Sequence, residues 1–426
     1  MKSGTGRRGP RTARALSRTA RHLCVVGAAF GTVLGAGVGF APAAAADDVH
    51  SRQWYLDDMR AEQMWKVSTG KDVKVAVIDT GVNANTSSLK GQVLADEVTG
   101  DVAYHATRDY KGHGTTIAEM IAGTGSGGGI QGIAPGAKIL PYRILLDSLK
   151  DKAERAHTPA DYKAVRAAAD SDAKIINMSF GSEYSDPELR AAIKYASSKG
   201  KLLFAAVGNE AKKNNPVEYP AAYPGVVGVA SLGESGEVGE FSQHGDYIDL
   251  SAPGLDLPYW CDEGFKSYCT SGAGTSFSSA YASASAALIW SAHPDWTANQ
   301  VLRVLIETAA RDWPKNKPSN YLGYGVVRAS QNLLDGKGTP GAANVDPITN
   351  EQTSEASSGS DTPPSASASG SSQPSQKASD VPAEAAGSEA KSSDDSNTLW
   401  IALGAVAAVI VIGGGGFAVM RARRGQ

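Results

Sequence analysis

Cysteine is scarce in this chain of 426 residues, with only Cys24, Cys261 and Cys269. A fold held together by many disulfides is therefore excluded. Neither sign of charge dominates, because 41 Lys and Arg stand against 44 Asp and Glu. This balance argues against nucleic acid as the main partner. Long apolar runs are missing except near the two ends of the chain, so the composition divides into regions.

The first end has the composition of an export signal. Residues 1–22 carry seven Lys and Arg and no acidic residue, and residues 23–40 are apolar or small. A run of four alanines then closes the segment. This order predicts a secretory signal over residues 1–46. An uncleaved anchor helix is the alternative, and the adjacent Arg7 and Arg8 leave the twin-arginine route open.

The other end predicts a membrane anchor. Residues 398–420 are apolar and long enough to cross ~30 Å of hydrocarbon as a helix. Residues 421–426 contain three arginines, so the positive-inside rule predicts a cytoplasmic tail and a protein whose remainder lies outside a single-pass cell membrane. Residues 336–397, which precede this apolar run, are rich in Ser, Ala and Pro. They predict a disordered linker, or stalk, because they cannot bury enough apolar surface to fold.

Cysteine use agrees with export. Cys24 falls in the predicted signal, which leaves Cys261 and Cys269, eight residues apart. In an oxidising compartment this pair predicts one disulfide that closes a short surface loop. A pair of metal ligands is the alternative, weakened because no histidine clusters with them.

Residues 47–335 remain as the folded domain. Short apolar segments alternate with helical patterns, which predicts an α/β fold with a mostly parallel central sheet covered on both faces. Asp186-Pro187-Glu188 predicts a helix start, and Thr297 with Gln300 predicts a capping box. The strands are predicted at residues 73–78, 175–180, 202–207, 226–231 and 247–250.

Three polar residues follow strands or precede helices in small-residue surroundings. Asp79 ends the first apolar strand, His113 lies between two glycines before a helix, and Ser276 begins a helix of small residues. A helix N-terminus offers free N–H groups that suit an oxyanion. Asn209 follows another strand and could donate from its amide. Taken singly, each residue is explained as well by turn or cap chemistry.

Their combination resembles the subtilisin-like serine proteases. The order Asp, His, Ser, with an Asn between the last two, is the subtilisin arrangement of the triad. Asp79-Thr80-Gly81, Gly112-His113-Gly114-Thr115 and Gly274-Thr275-Ser276 match the family's three signatures. Within the family the chain looks most like the mycosins, the membrane-anchored proteases of type VII secretion systems. That closer likeness rests on Gln53-Trp54-Tyr55-Leu56, the segment that follows it, and the stalk with its anchor.

The resemblance implies roles for individual residues. Ser276 would be the nucleophile, His113 the general base and Asp79 its orienting partner, with Asn209 and the Ser276 N–H as the oxyanion hole. The resemblance also implies polypeptide substrates. Two further segments would bind the substrate: Ser179, Phe180 and Gly181, which pair with the peptide, and Ala206, Val207 and Gly208, which wall the primary specificity pocket.

Several positions depart from the family pattern. Thr116 and Glu119 replace a usual histidine and a usual small residue, and Ala280 and Tyr281 stand where proline and histidine are common. None removes a catalytic atom. Calcium is common in the family, but no acidic cluster here has a spacing that identifies ligands, so no cofactor is predicted.

Two other functions compete with a peptidase. An esterase with the same three residues is disfavoured, because the chain lacks a Gly-x-Ser-x-Gly elbow in a suitable context. A structural component of a membrane secretion complex, with gated or dispensable proteolysis, remains the main alternative.

Overall fold

Six parallel strands form the central sheet of the computed structural model, which describes residues 49–353. They are β1 (Lys74–Asp79), β2 (Lys138–Arg143), β3 (Ile175–Met178), β4 (Leu202–Ala206), β5 (Val226–Leu232) and β6 (Leu250–Pro253). Their order across the sheet is β2-β1-β3-β4-β5-β6. All neighbouring pairs are parallel. The carboxyl ends of all six strands therefore meet at one edge.

Helices cover both faces of this sheet, as the sequence predicts. In chain order they are α1 (Trp54–Asp58), α2 (Ala61–Trp65), α3 (His113–Ala122), α4 (Lys152–His157), α5 (Asp161–Asp170), α6 (Pro187–Ser198), α7 (Thr275–Ala292), α8 (Ala298–Thr308) and α9 (Ala329–Leu333), with short 3₁₀ turns at Val49–Arg52, Ala95–Glu97, Gly100–Ala103 and Ser126–Gly128. Helices α3, α7 and α8 pack on one face, and α5 and α6 pack on the other.

The apolar run of β1 shows why both faces are covered. Val75 and Val77 enter the core beneath α3 and α7, whereas Ala76 and Ile78 enter the core beneath α5 and α6. Because successive side chains of a strand point to opposite faces, a strand without polar alternation needs a cover on each side. The predicted three-layer α/β fold is confirmed.

Both predicted helix starts are confirmed. The Asp186 carboxylate accepts a hydrogen bond from the Glu188 N–H at the start of α6, where Pro187 is the first helical residue. Thr297 and Gln300 form the reciprocal bonds of a capping box at α8.

Strand prediction was less accurate at the sheet margins. Strand β2 was missed because it contains Pro141, which is tolerated on an edge strand where one side needs no donor. Strand β6 begins at Leu250 rather than at Tyr247, because a turn that joins Ile248 N–H to the Gly245 carbonyl precedes it.

A two-stranded antiparallel hairpin, β7 (Leu257–Trp260) and β8 (Tyr268–Gly272), lies outside the main sheet. The Cys261–Cys269 disulfide joins the ends of its strands, with 5.1 Å between the two Cα atoms. The predicted disulfide is confirmed.

Residues 337–353 pack against the domain beyond the predicted boundary at residue 335. The Asn299 amide donates to the Ala343 carbonyl at 3.0 Å and to the Thr353 hydroxyl at 2.6 Å, and Arg303 donates to the Val345 carbonyl at 3.2 Å. The start of the predicted linker is thus held by α8.

The predicted signal, anchor and cytoplasmic tail, and the linker beyond residue 353, lie outside the described residues. Among residues 49–353, no helix combines the length and the apolar character that crossing a membrane requires.

Candidate active site

Asp79 and His113 are brought into contact at the carboxyl edge of the sheet. Asp79 is the last residue of β1, and His113 is the first residue of α3. Nδ1 of His113 lies 2.7 Å from Oδ1 of Asp79. A side chain at position 114 would stand 2.2 Å from the Gly81 carbonyl oxygen and 3.0 Å from Cβ of Asp79, so glycine there permits this approach of α3 to β1.

The carboxylate of Asp79 favours a protonated His113. Asp79 is only 1% exposed, and its Oδ2 has no hydrogen-bond partner within residues 49–353. Burial lowers the pKa of His113, but the charge of Asp79 and its hydrogen bond outweigh burial, so the net pKa is raised above 6.5. The imidazole side chain remains 28% exposed, so a substrate can reach it.

A second buried carboxylate, Asp109, shapes the loop that carries His113. Its Oδ1 accepts hydrogen bonds from the Thr80 hydroxyl and from the N–H groups of Lys111 and Gly112 at 2.8–2.9 Å. Its Oδ2 accepts from the N–H and the hydroxyl of Thr115 at 2.9 and 2.6 Å. Asp109 therefore ties the segment after β1 to the first turn of α3.

Ser276 lies in the first turn of α7, where backbone N–H groups have no partner inside the helix. The residue is 7% exposed, and its carbonyl accepts a hydrogen bond from the Ser179 hydroxyl at 3.3 Å. Within the described residues, neither the Ser276 hydroxyl nor Nε2 of His113 makes a hydrogen bond; such contacts are often long before substrate binds.

Asn209 is oriented by the same helix start. Its Oδ1 accepts from the Thr275 N–H at 2.9 Å and from the Thr275 hydroxyl at 3.1 Å. Because an N–H must donate, the end of the amide facing Thr275 is the oxygen, and the NH₂ group points elsewhere. Asn209 is exposed, so this NH₂ is available as a donor.

The predicted substrate-binding segments leave neighbouring strands at the same edge. Ser179, Phe180 and Gly181 follow β3, and Ala206, Val207 and Gly208 span the end of β4. Met178 is paired with Ala205 in the register of the two strands, so both segments start at the same level. Asp79 stands at that level too, since Ile78 is paired with Met178.

Comparison with known proteins identifies the family. The model of the subtilase family, peptidase S8, matches residues 70–325. This chain belongs to the subtilase family. The subtilase is 31% identical over 291 residues to the minor extracellular protease Epr of Bacillus subtilis. The aligned region covers 66% of this chain and 42% of that relative. The subtilase is also 35% identical over 207 residues to thermitase of Thermoactinomyces vulgaris, which covers 48% of the chain and 71% of that relative.

Solved structures place it near the mycosins. MycP1 from Mycobacterium smegmatis matches with a TM-score of 0.55 and 28% identity, over 68% of this chain and 86% of the other. The MycP3 protease from the type VII (ESX-3) secretion system matches with a TM-score of 0.54 and 26% identity, over 66% of this chain and 88% of the other. The resemblance predicted from the signatures is therefore confirmed.

Two departures from the family pattern connect α3 of this subtilase to the disulfide hairpin. The Thr116 hydroxyl donates to the Gly112 carbonyl at 2.8 Å and accepts from the Trp260 N–H at 3.1 Å. Glu119 is fully buried and accepts from the Thr86 hydroxyl at 2.7 Å and from the Tyr268 hydroxyl at 2.8 Å. The hairpin is thus fixed to the helix that begins with His113.

The other two departures lie inside the core of the subtilase. Ala280 is 0% and Tyr281 is 3% exposed, and the ring of Tyr281 meets that of Tyr55 edge to face at 6.1 Å between centroids. Tyr55 belongs to α1, so the segment before the first strand packs on the helix of Ser276.

Asp109 and Asn177 are the residues of this site that sequence reasoning missed. Asn177 is buried in β3, where its Oδ1 accepts from the hydroxyls of Ser279 and Ser283 at 2.8 and 3.1 Å and its Nδ2 donates to Ser179 at 2.9 Å. It thereby joins the sheet to α7. The position of Asp109, three residues before Gly112, is a local turn signal that could have been noticed.

Across residues 49–353, no group of three or more His, Cys, Asp or Glu side chains converges in a way that could hold a metal ion.

Proposed function

We propose that this subtilase is a serine endopeptidase whose triad is Asp79, His113 and Ser276. The observation that carries the proposal is the 2.7 Å contact between Nδ1 of His113 and Oδ1 of Asp79. In neutral His113, Nδ1 carries the proton and donates it in a hydrogen bond to Asp79. Nε2 is therefore unprotonated and can accept a proton, as a general base must. Ser276, at the start of a buried helix, is the nucleophile.

The reaction proceeds through an acyl-enzyme. The Ser276 hydroxyl oxygen attacks the carbonyl carbon of the peptide bond, and its proton passes to Nε2 of His113. The negative charge that develops on the carbonyl oxygen is met by the Ser276 N–H and the Asn209 NH₂. The C–N bond breaks, and the leaving amine takes the proton from His113. Water, deprotonated by His113, then releases the acid and restores Ser276.

Labelling with a fluorophosphonate probe tests this triad without knowledge of the substrate. We expect the full chain to be labelled, and labelling to disappear in Ser276→Ala and to fall sharply in His113→Ala. Ser278→Ala is a matched control, because its hydroxyl lies in the same helix turn but donates to the Ala252 carbonyl at 3.0 Å. A folded protein that no probe labels, or equal labelling in Ser276→Ala, would refute the proposal.

We further propose that the enzyme acts outside the cell membrane on proteins of a type VII secretion system. The support is the likeness to MycP1 and MycP3, together with the predicted signal, stalk and anchor. Replacing the chromosomal copy by Ser276→Ala tests both this role and the structural alternative. If secreted proteins stay uncleaved in the Ser276→Ala strain, the wild-type enzyme processes them by proteolysis. If processing is unchanged in that strain and secretion is lost only when the whole chain is deleted, the protein is a structural component.

A further inference from the structure

Two glycines follow the carboxyl ends of the neighbouring strands β3 and β4. Gly181 follows β3, and Gly208 precedes Asn209 after β4. In the proposed function these two segments form the walls of the pocket for the side chain of the residue whose carbonyl Ser276 attacks. The chemistry of this pocket therefore decides which peptide bonds are cut.

A carboxylate and an amide lie beneath these glycines. A Cβ atom on Gly181 would stand 2.1 Å from Oε2 of Glu218, and one on Gly208 would stand 2.3 Å from Oε1 of Gln243. The two polar side chains are joined, since Nε2 of Gln243 donates to Oε1 of Glu218 at 2.8 Å. The hydrogen-bonded Glu218–Gln243 pair therefore connects the segment that contains Gly181 to the segment that contains Gly208.

The backbone next to Glu218 is hydrogen-bonded to the segment that follows β3. Tyr219 exchanges two hydrogen bonds with Ser182, at 2.8 and 2.9 Å between backbone N and O atoms. Gln243 is 0% exposed, and its N–H donates to the Gly208 carbonyl at 3.2 Å. The carboxylate is thus held in place by both segments and does not hang from a free loop.

No cation neutralises this carboxylate in the described part of the chain. Oε2 of Glu218 makes no hydrogen bond there, and no Lys, Arg or His forms an ion pair with it. Two other acidic groups, Glu210 and Glu183, repel its charge, and Glu210 is itself paired with Lys213 at 2.7 Å. Burial is the main reason that the pKa of Glu218 is raised, opposed by the bond from Gln243. A half-buried carboxylate in this setting is stabilised by a positively charged ligand.

We propose that Glu218 is the specificity-determining residue of the primary pocket and that the enzyme cuts after arginine or lysine. The inference rests on the proposed function, because it concerns the substrate of the same site. The side chains of arginine and lysine are long, and each ends in a positively charged group whose N–H groups can donate hydrogen bonds to Oε2 of Glu218. Leucine or glutamate at the same position would leave the carboxylate desolvated without a partner.

Cleavage of matched peptides by the full chain tests the proposal. The fluorogenic peptides differ only in the residue before the cut bond, which is Arg, Lys, Gln, Leu or Glu. We expect kcat/KM for Arg and Lys to exceed that for Gln by about 10- to 100-fold, the range given by a hydrogen bond to a charged group. Glu218→Gln should remove this preference by lowering kcat/KM for Arg and Lys and raising it for Leu, whose side chain would no longer desolvate a charge.

Glu183→Gln is the matched control, because it removes an exposed carboxylate that acts on Glu218 through its charge and makes no hydrogen bond to it. It should keep the preference for Arg and Lys. An equal loss in Glu183→Gln would show that the overall charge of the region, and not the pocket, selects the substrate, and the proposal would be overturned.

A second measurement needs no turnover. Benzamidine, a cation that imitates the arginine side chain, should slow fluorophosphonate labelling of Ser276 in the wild type and not in Glu218→Gln. Labelling that benzamidine does not slow, or a wild type without preference for Arg or Lys, would overturn the inference while leaving the peptidase in place. Absence of labelling in the wild type would instead refute the proposed function itself.

Discussion

Replacement of Glu119 by glutamine should change how the stability of the domain depends on pH. Glu119 is fully buried in α3, and burial raises its pKa to about 7, against the lowering effect of hydrogen bonds from Thr86 and Tyr268. The unfolded chain has the ordinary value of 4.5. Between these values the folded protein binds a proton that the unfolded chain has released. Stability therefore falls as pH rises from about 4.5 to about 7.

The size of the effect follows from the difference between the two pKa values. A rise from 4.5 to about 7 corresponds to roughly 3 kcal/mol of unfolding free energy lost above pH 7. Glutamine keeps the shape and stays neutral, and it can accept from the Thr86 hydroxyl and donate to the Tyr268 oxygen. We expect Glu119→Gln and the wild type to be about equally stable near pH 4.5, and the variant to be more stable by up to ~3 kcal/mol at pH 8.

Urea unfolding at four pH values between 4.5 and 8 measures this difference. Asp249, whose pKa burial also raises to about 7, contributes equally to both proteins and cancels. Glu62→Gln, which removes an exposed carboxylate from α2, should follow the wild type at every pH. A stability difference between Glu119→Gln and the wild type that stays constant with pH would refute the reasoning.

Three further predictions concern the active site. The pH profile of kcat/KM should rise through a midpoint above 6.5, because neutral His113 is the base of the proposed triad and Asp79 raises its pKa; Asp79→Asn should move that midpoint down, and a fixed midpoint would contradict the ion-pair account. Asn209→Ala should lower kcat by about 10²–10³, the range known from removing one such donor in a subtilisin, with little change in KM, and should also reduce thermal stability because the Thr275 N–H and hydroxyl lose their acceptor. Asp109→Ala should destabilise the domain by at least ~2 kcal/mol in urea unfolding, since it leaves several buried donors without an acceptor, and Asp109→Asn should lose less.

The sequence was informative wherever a local pattern fixes a local structure. The apolar run of β1, the caps of α6 and α8 and the spacing of Cys261 and Cys269 each depend on nearby residues. The same holds for Asp79 and His113, because a strand end and a helix start place them at one edge of the sheet.

Contacts between distant segments could not be read from the sequence. Glu218 and Gln243 are 25 residues apart, and their relation to Gly181 and Gly208 arises only when β3 and β4 lie side by side. Glu119 likewise meets Tyr268 across 149 residues. Strand β2 escaped prediction for a different reason. Its proline locally argues against a strand, but proline is tolerated there because β2 lies at the edge of the sheet.

The burial of α7 bears on how this enzyme can lose activity. Residues 275–290 are buried without interruption, and the helix touches β3, β4, β5, β6, α3, α8 and α9. The amide hydrogens beyond its first turn should exchange with solvent only when the whole domain opens. The proposed nucleophile therefore lies on a helix that should not unfold locally, so heat or denaturant should abolish proteolysis and unfold the core in a single event.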